Sequence, residues 1–338
     1  MSLRKSSALR INYLFNRVCR LSFILFLACA QSIFAQNSPL DRFPSQPITL
    51  ILPYAPGGSA DVLARAMMVE LQQRLGKPIV IEYKAGAGGT IATAALTKSK
   101  PDGYTLLMVL SAHVINPALY PSLPYDTRKD FSPITLLARL PQLIVVRSDS
   151  PFKTLSDLIA YAKANPGKLS FGSAGNGNTS HLGSEMLQAQ AGIKMEHIPY
   201  KGSGPVVVAM LGGEIDLMFD SFATSYPQVQ AGKFRALGIA SARRSPLLPN
   251  VPTVAELLPE FAMDGWYGLL APAGTPKSAV DKLNKVFNEV VRDPKVKAQL
   301  IASGYEVVGT TPEQYAKTIE DDLILWSKIV KDSGAKIQ

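Results

Sequence analysis

Residues 48–61 read Ile48-Thr49-Leu50-Ile51-Leu52-Pro53-Tyr54-Ala55-Pro56-Gly57-Gly58-Ser59-Ala60-Asp61. An apolar, β-branched run predicts a buried strand, and the Pro-Gly-Gly turn ends it. A helical pattern follows at once, with Leu63, Met67, Leu71 and Leu75 four residues apart, stopped by Gly76 and Pro78. A strand running straight into a helix places the helix's first unbonded N–H groups beyond the strand end, where backbone alone can hold an anion.

Outward from this unit the alternation continues. Ile79–Tyr83 is the next predicted strand, Gly86-Ala87-Gly88-Gly89-Thr90 opens a helix to about Lys98, and Thr105–Leu110 is a third strand. Ser111 and a short helix near Asn116–Tyr120 follow it. Such a βαβαβ series predicts a parallel sheet flanked by helices. Ile134–Val146 is a long extended stretch broken by Pro141, and it leads into a second series. That series has a helix over Leu155–Ala164 with a Thr154/Asp157 capping box, a strand at Leu169–Gly172, a helix over about Ser180–Gln190 and strands at Glu196–Pro199, Asp216–Phe219 and Phe234–Ala240. Residues 242–262 form a Pro-rich connector, Trp266–Ala271 is a strand, and two helices close the chain after Thr275-Pro276 and Thr311-Pro312. The expectation is two α/β domains, residues 36–138 plus 259–338 and residues 139–258, joined by two crossings that act as a hinge, with a ligand cleft between them.

The first 35 residues read as a secretory signal peptide. Arg4, Lys5, Arg10, Arg17 and Arg20 form a basic region without an acid, and Leu21–Ala30 is an apolar run too short to span a bilayer. Cleavage after Ala35 is favoured; a lipoprotein cysteine at Cys29 is disfavoured by the Leu27-Ala28 before it. Loss of those five cations lowers the formal net charge from +9 to +4, so the basic composition makes no case for nucleic acid. Both cysteines, Cys19 and Cys29, leave with the leader, which removes disulfides, thiol nucleophiles and thiolate metal sites. An exported chain of this size with 47% apolar residues has a hydrophobic core to rely on instead, and no later apolar run reaches 18 residues.

Four glycine-rich loops carry the candidate chemistry. They are Tyr54–Asp61, with Tyr54, Pro56, Gly57, Gly58 and Ser59; Lys84–Thr90, with Ala87 and Gly88; Gly172–His181, with Ser173, Ala174, Gly175, Asn178, Thr179 and His181; and Tyr200–Gly204. Glycine admits close backbone approach, and Ser, Thr and Asn add neutral donors, so these loops suit carboxylate oxygens. A glycine turn before a helix is most often only a turn; repetition of the device in both series raises its weight. No loop fits a P-loop, a dinucleotide fingerprint or a nucleophile elbow. His113, His181 and His197 lack zinc spacing; His181 and Glu185 stand four apart without a third ligand, so neither a metal nor a cofactor is expected. Asp61 reads as a helix-dipole residue, and Asp220, at a strand end, is expected to point toward the cleft, where it would suit an ammonium or share a proton with a carboxyl.

The ordered set Tyr54-Ala55-Pro56-Gly57-Gly58, Ala85-Gly86-Ala87-Gly88-Gly89, Pro101-Asp102-Gly103-Tyr104, Asn116-Pro117, Ser173-Ala174-Gly175, Pro199-Tyr200-Lys201-Gly202 and Pro252-Thr253 resembles the Bug receptors, the TctC family of tripartite tricarboxylate transporter substrate-binding proteins. The resemblance runs over essentially the whole mature chain. It implies a type II periplasmic binding protein fold, a small organic carboxylate as ligand, membrane permease subunits as partners, a periplasmic location and no enzymatic role. It also implies a carboxylate held by backbone groups and waters at Gly57, Gly58 and Ser59 and at Ser173, Ala174 and Gly175. The Ser111-Ala112-His113 triplet stands where many relatives have Thr-His at the strand end, a change expected to alter the distal pocket, and Ser111 is counted among the expected ligand-binding residues. Two rival readings are a ligand sensor docking on a signalling receptor, with the same fold and cleft, and an exported hydrolase using Ser173 or Ser203 with His181. The second lacks any spacing that positions a base.

Overall fold

The structure, a computed structural model, describes residues 43–333 apart from Glu260 and Ala262. The leader with Cys19, Cys29 and its cleavage site lies outside the described residues. In chain order the elements begin with β1 (Ile48–Leu52), α1 (Ser59–Leu75), β2 (Ile79–Tyr83), α2 (Thr90–Thr97) and β3 (Thr105–Leu110). β1 pairs in parallel with both β2 and β3, as the βαβαβ reading predicts. Leu63, Met67 and Leu71 of α1 are fully buried, and Gly76 ends that helix at φ 67°, its N–H on the Gln72 carbonyl.

The next elements are α3 (Ala112–Leu119), β4 (Phe131–Arg147), α4 (Leu155–Ala164), β5 (Ser170–Ser173), α5 (Thr179–Ala191), β6 (Glu196–Pro199), α6 (Ser203–Gly212), β7 (Leu217–Ser221), α7 (Phe222–Gln230) and β8 (Phe234–Ile239). The chain closes with β9 (Asp264–Pro272), α8 (Lys277–Val291), α9 (Pro294–Ala302), β10 (Glu306–Val307) and α10 (Pro312–Ser333). One sheet path, β2-β1-β3-β9-β4-β7-β5-β6, connects both series.

β4 is the pivot of this path. Pro141 does not break it. Phe131–Pro141 pairs antiparallel with β9, ending at Pro141↔Asp264, and from Gln142↔Ser221 onward the strand pairs with β7 and with β8. Proline lacks the N–H that a ladder needs, and here it stands where one partner is exchanged for another, so it costs the strand little.

Other expectations are corrected in detail. The short helix after β3 starts at Ala112, four residues earlier than expected. The helix α7, directly after β7, has no counterpart among the predicted elements, because Pro227 inside it interrupts the helical pattern of the sequence. Three helices, not two, follow β9 among the described residues; α9 has Asp293 as its N-cap and Pro294 in its first turn, a readable start signal. Thr275 does not cap α8: its hydroxyl donates to the Pro272 carbonyl, and α8 starts at Lys277. Thr311 does cap α10, exchanging hydrogen bonds with Gln314, and Thr154 and Asp157 form the expected capping box.

Candidate ligand site

The first turns of four helices meet at one buried cavity of about 20 Å³. Its wall includes Ser59, Ala60 and Asp61 of α1, Thr179 of α5, Ser203 of α6 and Ser221, which precedes α7. Each of these helices starts right after a strand or a glycine loop; the sheet path sets the ends of β7, β5 and β6 side by side, with β1 separated from them by β3, β9 and β4. The N–H groups of Gly58, Ser59, Ala60, Thr179 and Ser203 have no hydrogen-bond partner among the described residues. A helix N-terminus carries roughly half a unit of positive charge, and four of them oppose an anion without any cationic side chain. No lysine or arginine lines the cavity, and its single charged residue, Asp61, is turned away.

Asp61 accepts from the Gly57 N–H (3.0 Å), Arg65 Nε (2.9 Å) and the Tyr83 hydroxyl (2.6 Å). Burial pushes its pKa up, but the bonds from Tyr83, Gly57 and Arg65 together hold it below the ordinary carboxylate value. Two tyrosines position the next residue: Tyr267 donates to Ser59 Oγ (2.7 Å) and Tyr305 to the Ser59 carbonyl (2.6 Å). Across the cavity, Asn178 Oδ1 collects the Ser180 N–H, the Ser180 hydroxyl and the Thr179 hydroxyl.

Six of the fifteen residues singled out in the sequence line the cavity: Tyr54, Gly58, Ser59, Ala174, Asn178 and Thr179. The others are placed off it. The Gly57 N–H is taken by Asp61. Pro56 packs with its carbonyl so close to Gly204 that a Cβ there would stand 2.7 Å away. Ala87 (φ 46°) precedes Gly88, whose carbonyl accepts from Tyr54 and Asn116. Ser111 is fully buried, and its hydroxyl accepts from the Trp266 N–H instead of facing the cavity.

The Ser-Ala-Gly loop bonds mainly to itself. The Ala174 N–H donates to Ser180 Oγ and the Gly175 N–H to Ser173 Oγ, so these donors are engaged. Ser173 Oγ lies 2.6 Å from Nε2 of His197, not of His181. His181 stacks on His197 (centroids 4.2 Å) and accepts the Gly177 N–H on Nδ1, which ties the loop to α5. Burial pushes His181 down to about 4 and His197 to about 3, the latter with help from its neighbour His181. Asp220 is also corrected: its carboxylate turns back into the start of α7, accepting from Thr224 and Ser225, rather than into the cavity. Burial raises its pKa against hydrogen bonds from Ser203, Thr224 and Ser225.

Several wall residues were not singled out as binding residues: Gln142, Ser203, Ser221 and Tyr267. Gln142 had a signal, a lone amide between Pro141 and the apolar run Leu143–Val146. Tyr267 had none, because its place depends on β9 lying between β3 and β4.

Direct contacts between the two series close the cavity. The Ala55 N–H donates to the Lys201 carbonyl (3.1 Å), and Gly88, at φ 60°, lies so near Asn176 that a Cβ would stand 2.3 Å from its carbonyl oxygen.

Known proteins resemble this chain in sequence and fold. The sequence model of the "Tripartite tricarboxylate transporter family receptor" matches residues 63–335. The periplasmic binding protein BugD is 35% identical, with a TM-score of 0.85 over 88% of this chain and 100% of that one. Rpa4515 of R. palustris, solved with adipate, is 32% identical, with a TM-score of 0.84 over 87% of this chain and 100% of its own. MatC from Rhodopseudomonas palustris, solved with bound malate, is 34% identical, with a TM-score of 0.82 over 85% of this chain and 100% of its own.

Proposed function

The chain belongs to the tripartite tricarboxylate transporter receptor family, a family of periplasmic solute-binding proteins, and from that premise we propose that it captures a small organic carboxylate and presents it to the permease subunits of such a transporter. The observation that carries this reading is the convergence of four helix N-termini, those of α1, α5 and α6 with unbonded N–H groups, on a cavity without lysine or arginine. Backbone dipoles favour a carboxylate whatever the rest of the ligand is. Carboxylates bound to MatC and Rpa4515 support the same chemistry.

In this reading residues 1–35 are a signal peptide and the protein works in the periplasm. The carboxylate is held by the amides of Gly58, Ser59 and Ala60 on one side and by the Asn178–Thr179 turn on the other. A cavity of about 20 Å³ has room for roughly one water molecule, so a carboxylate enters only when the walls part. The division into residues 36–138 plus 259–338 and residues 139–258 supplies that motion, with β4 bending near Pro141 and the Ala55–Lys201 bond opening. A ligand of ten heavy atoms at roughly 0.8 kcal/mol each reaches about 8 kcal/mol, near micromolar affinity.

The test is thermal unfolding and calorimetry of the purified protein against a panel of mono-, di- and tricarboxylates that includes adipate and malate. At a hundredfold excess over Kd a true ligand stabilises by about 2.7 kcal/mol, a rise of a few degrees. Absence of both heat and thermal shift across the panel overturns the reading.

A further inference from the structure

Gln142 is the first residue of β4 beyond its exchange of partners, opposite Ser221 of β7. It is 3% exposed, and its side chain lines the cavity. Its backbone is fixed, since its carbonyl accepts the Ala240 N–H at 2.9 Å. Its side-chain amide lies beside Gly265 of β9, where an added Cβ would stand 3.2 Å from Nε2. Yet that amide makes no hydrogen bond to any described residue.

This separates Gln142 from the rest of the polar wall. Ser59 is bonded to Tyr267, Thr179 to Asn178 and Ser221 to Thr224, and Ser203 is drawn to Asp220. An amide on a cavity wall without a protein partner is open to a bound molecule that completes its bonds. A primary amide offers a donor and an acceptor on one edge. A hydroxyl matches both roles; a carboxylate takes only the donor, an ammonium only the acceptor, and a methylene neither.

We infer that Gln142 is a specificity-determining residue that reads a hydroxyl group on the ligand, so that this receptor prefers hydroxycarboxylates to their deoxy counterparts. The inference rests on the carboxylate reading above and adds the second group that the site recognises. Because Gln142 stands where β4 passes from β9 to β7, the ligand hydroxyl is gripped beside the proposed hinge while the carboxylate meets the helix ends.

Matched pairs of acids test this by calorimetry on the full chain: malate and succinate, citrate and tricarballylate, lactate and propionate, 3-hydroxybutyrate and butyrate. The wild type should bind the hydroxy member of at least one pair about tenfold more tightly, the ratio that one uncharged hydrogen bond of about 1.4 kcal/mol gives. Gln142→Leu should lose that ratio while still binding the deoxy acid, and Gln142→Met, closer in shape, should do the same if leucine disturbs folding. Pairs bound without preference, or a preference that survives in both variants, overturn the inference and leave the carboxylate reading standing. Failure of every acid to bind overturns both.

Discussion

Oδ2 of Asp61 accepts the backbone N–H of Gly57 at 3.0 Å, within a loop where Gly57 adopts φ 81°. One carboxylate in the first turn of α1 thereby fixes the shape of the loop before it, and Arg65 and Tyr83 fix the carboxylate. The loop is pre-shaped from within, and the N–H groups next in sequence, those of Gly58, Ser59 and Ala60, have no partner among the described residues.

Asp61→Ala should therefore destabilise the protein by about 2–3 kcal/mol, the cost of deserting three donors in a partly buried network, and Asp61→Asn by less. Because the folded pKa lies below the ordinary 3.8, the charge contributes stability above that value and loses it as the pH falls through the folded pKa. Urea unfolding at pH 7 and pH 3 should show the gap between wild type and Asp61→Asn shrinking in acid; a gap independent of pH would contradict the assignment.

Gly88→Ala should cost more than Gly76→Ala. Both glycines have positive φ, 60° and 67°, which costs an L-residue on the order of 1 kcal/mol. A Cβ on Gly76 meets open space, whereas one on Gly88 would stand 2.3 Å from the Asn176 carbonyl oxygen. The alanine at 88 should also blunt the thermal shift given by a carboxylate, because it props the walls apart. Equal unfolding temperatures for the two variants would count against the observed closeness.

The three histidines should remain neutral over the physiological range. Burial lowers His113 and His197 to about 3 and His181 to about 4, from an ordinary 6.5. A depressed histidine pKa means that the unfolded chain binds protons first, so stability should fall as the pH drops below 6.5 and level off only under the folded values. Proton NMR should show no imidazole titrating between pH 8 and pH 5. A titration near 6.5 would place one of the rings in water.

Removing the Tyr305 hydroxyl tests the support under Ser59. Tyr305→Phe and Tyr267→Phe should each cost about 1 kcal/mol, and their rings, T-shaped at 5.7 Å, make the two changes non-additive. Each should weaken carboxylate binding severalfold by letting α1's first turn shift. Unaltered calorimetric affinity in the double variant would show that Ser59 needs no such support.

Local signals were legible along most of the chain. The runs at 48–52, 79–83 and 105–110 are β1, β2 and β3, since short runs rich in β-branched and apolar residues between turn signals favour extended backbone. The glycine loop at 54–61 reads as an anion site for the same local reason: a strand that stops at glycine and restarts as a helix leaves N–H groups unbonded whatever surrounds it. Relative position was beyond local reading. Nothing near Asp220 states that Thr224 and Ser225 will take its carboxylate, and nothing near Ser173 names His197, 24 residues on, as its partner.

By itself, then, the sequence determined the strands, most of the helices, the four glycine loops and the kind of charge they favour, because each depends on torsional preference and apolar spacing within a few residues. Tertiary structure decided which donors stay free. The Ser59 hydroxyl is engaged by Tyr267 and that of Ser111 by the Trp266 backbone N–H, each from a segment more than 150 residues on, while the Gln142 side chain makes no hydrogen bond to a described residue. A hydrogen bond is formed by whichever donor and acceptor the packed core brings within about 3 Å, and that proximity is a property of the whole sheet path rather than of any single segment.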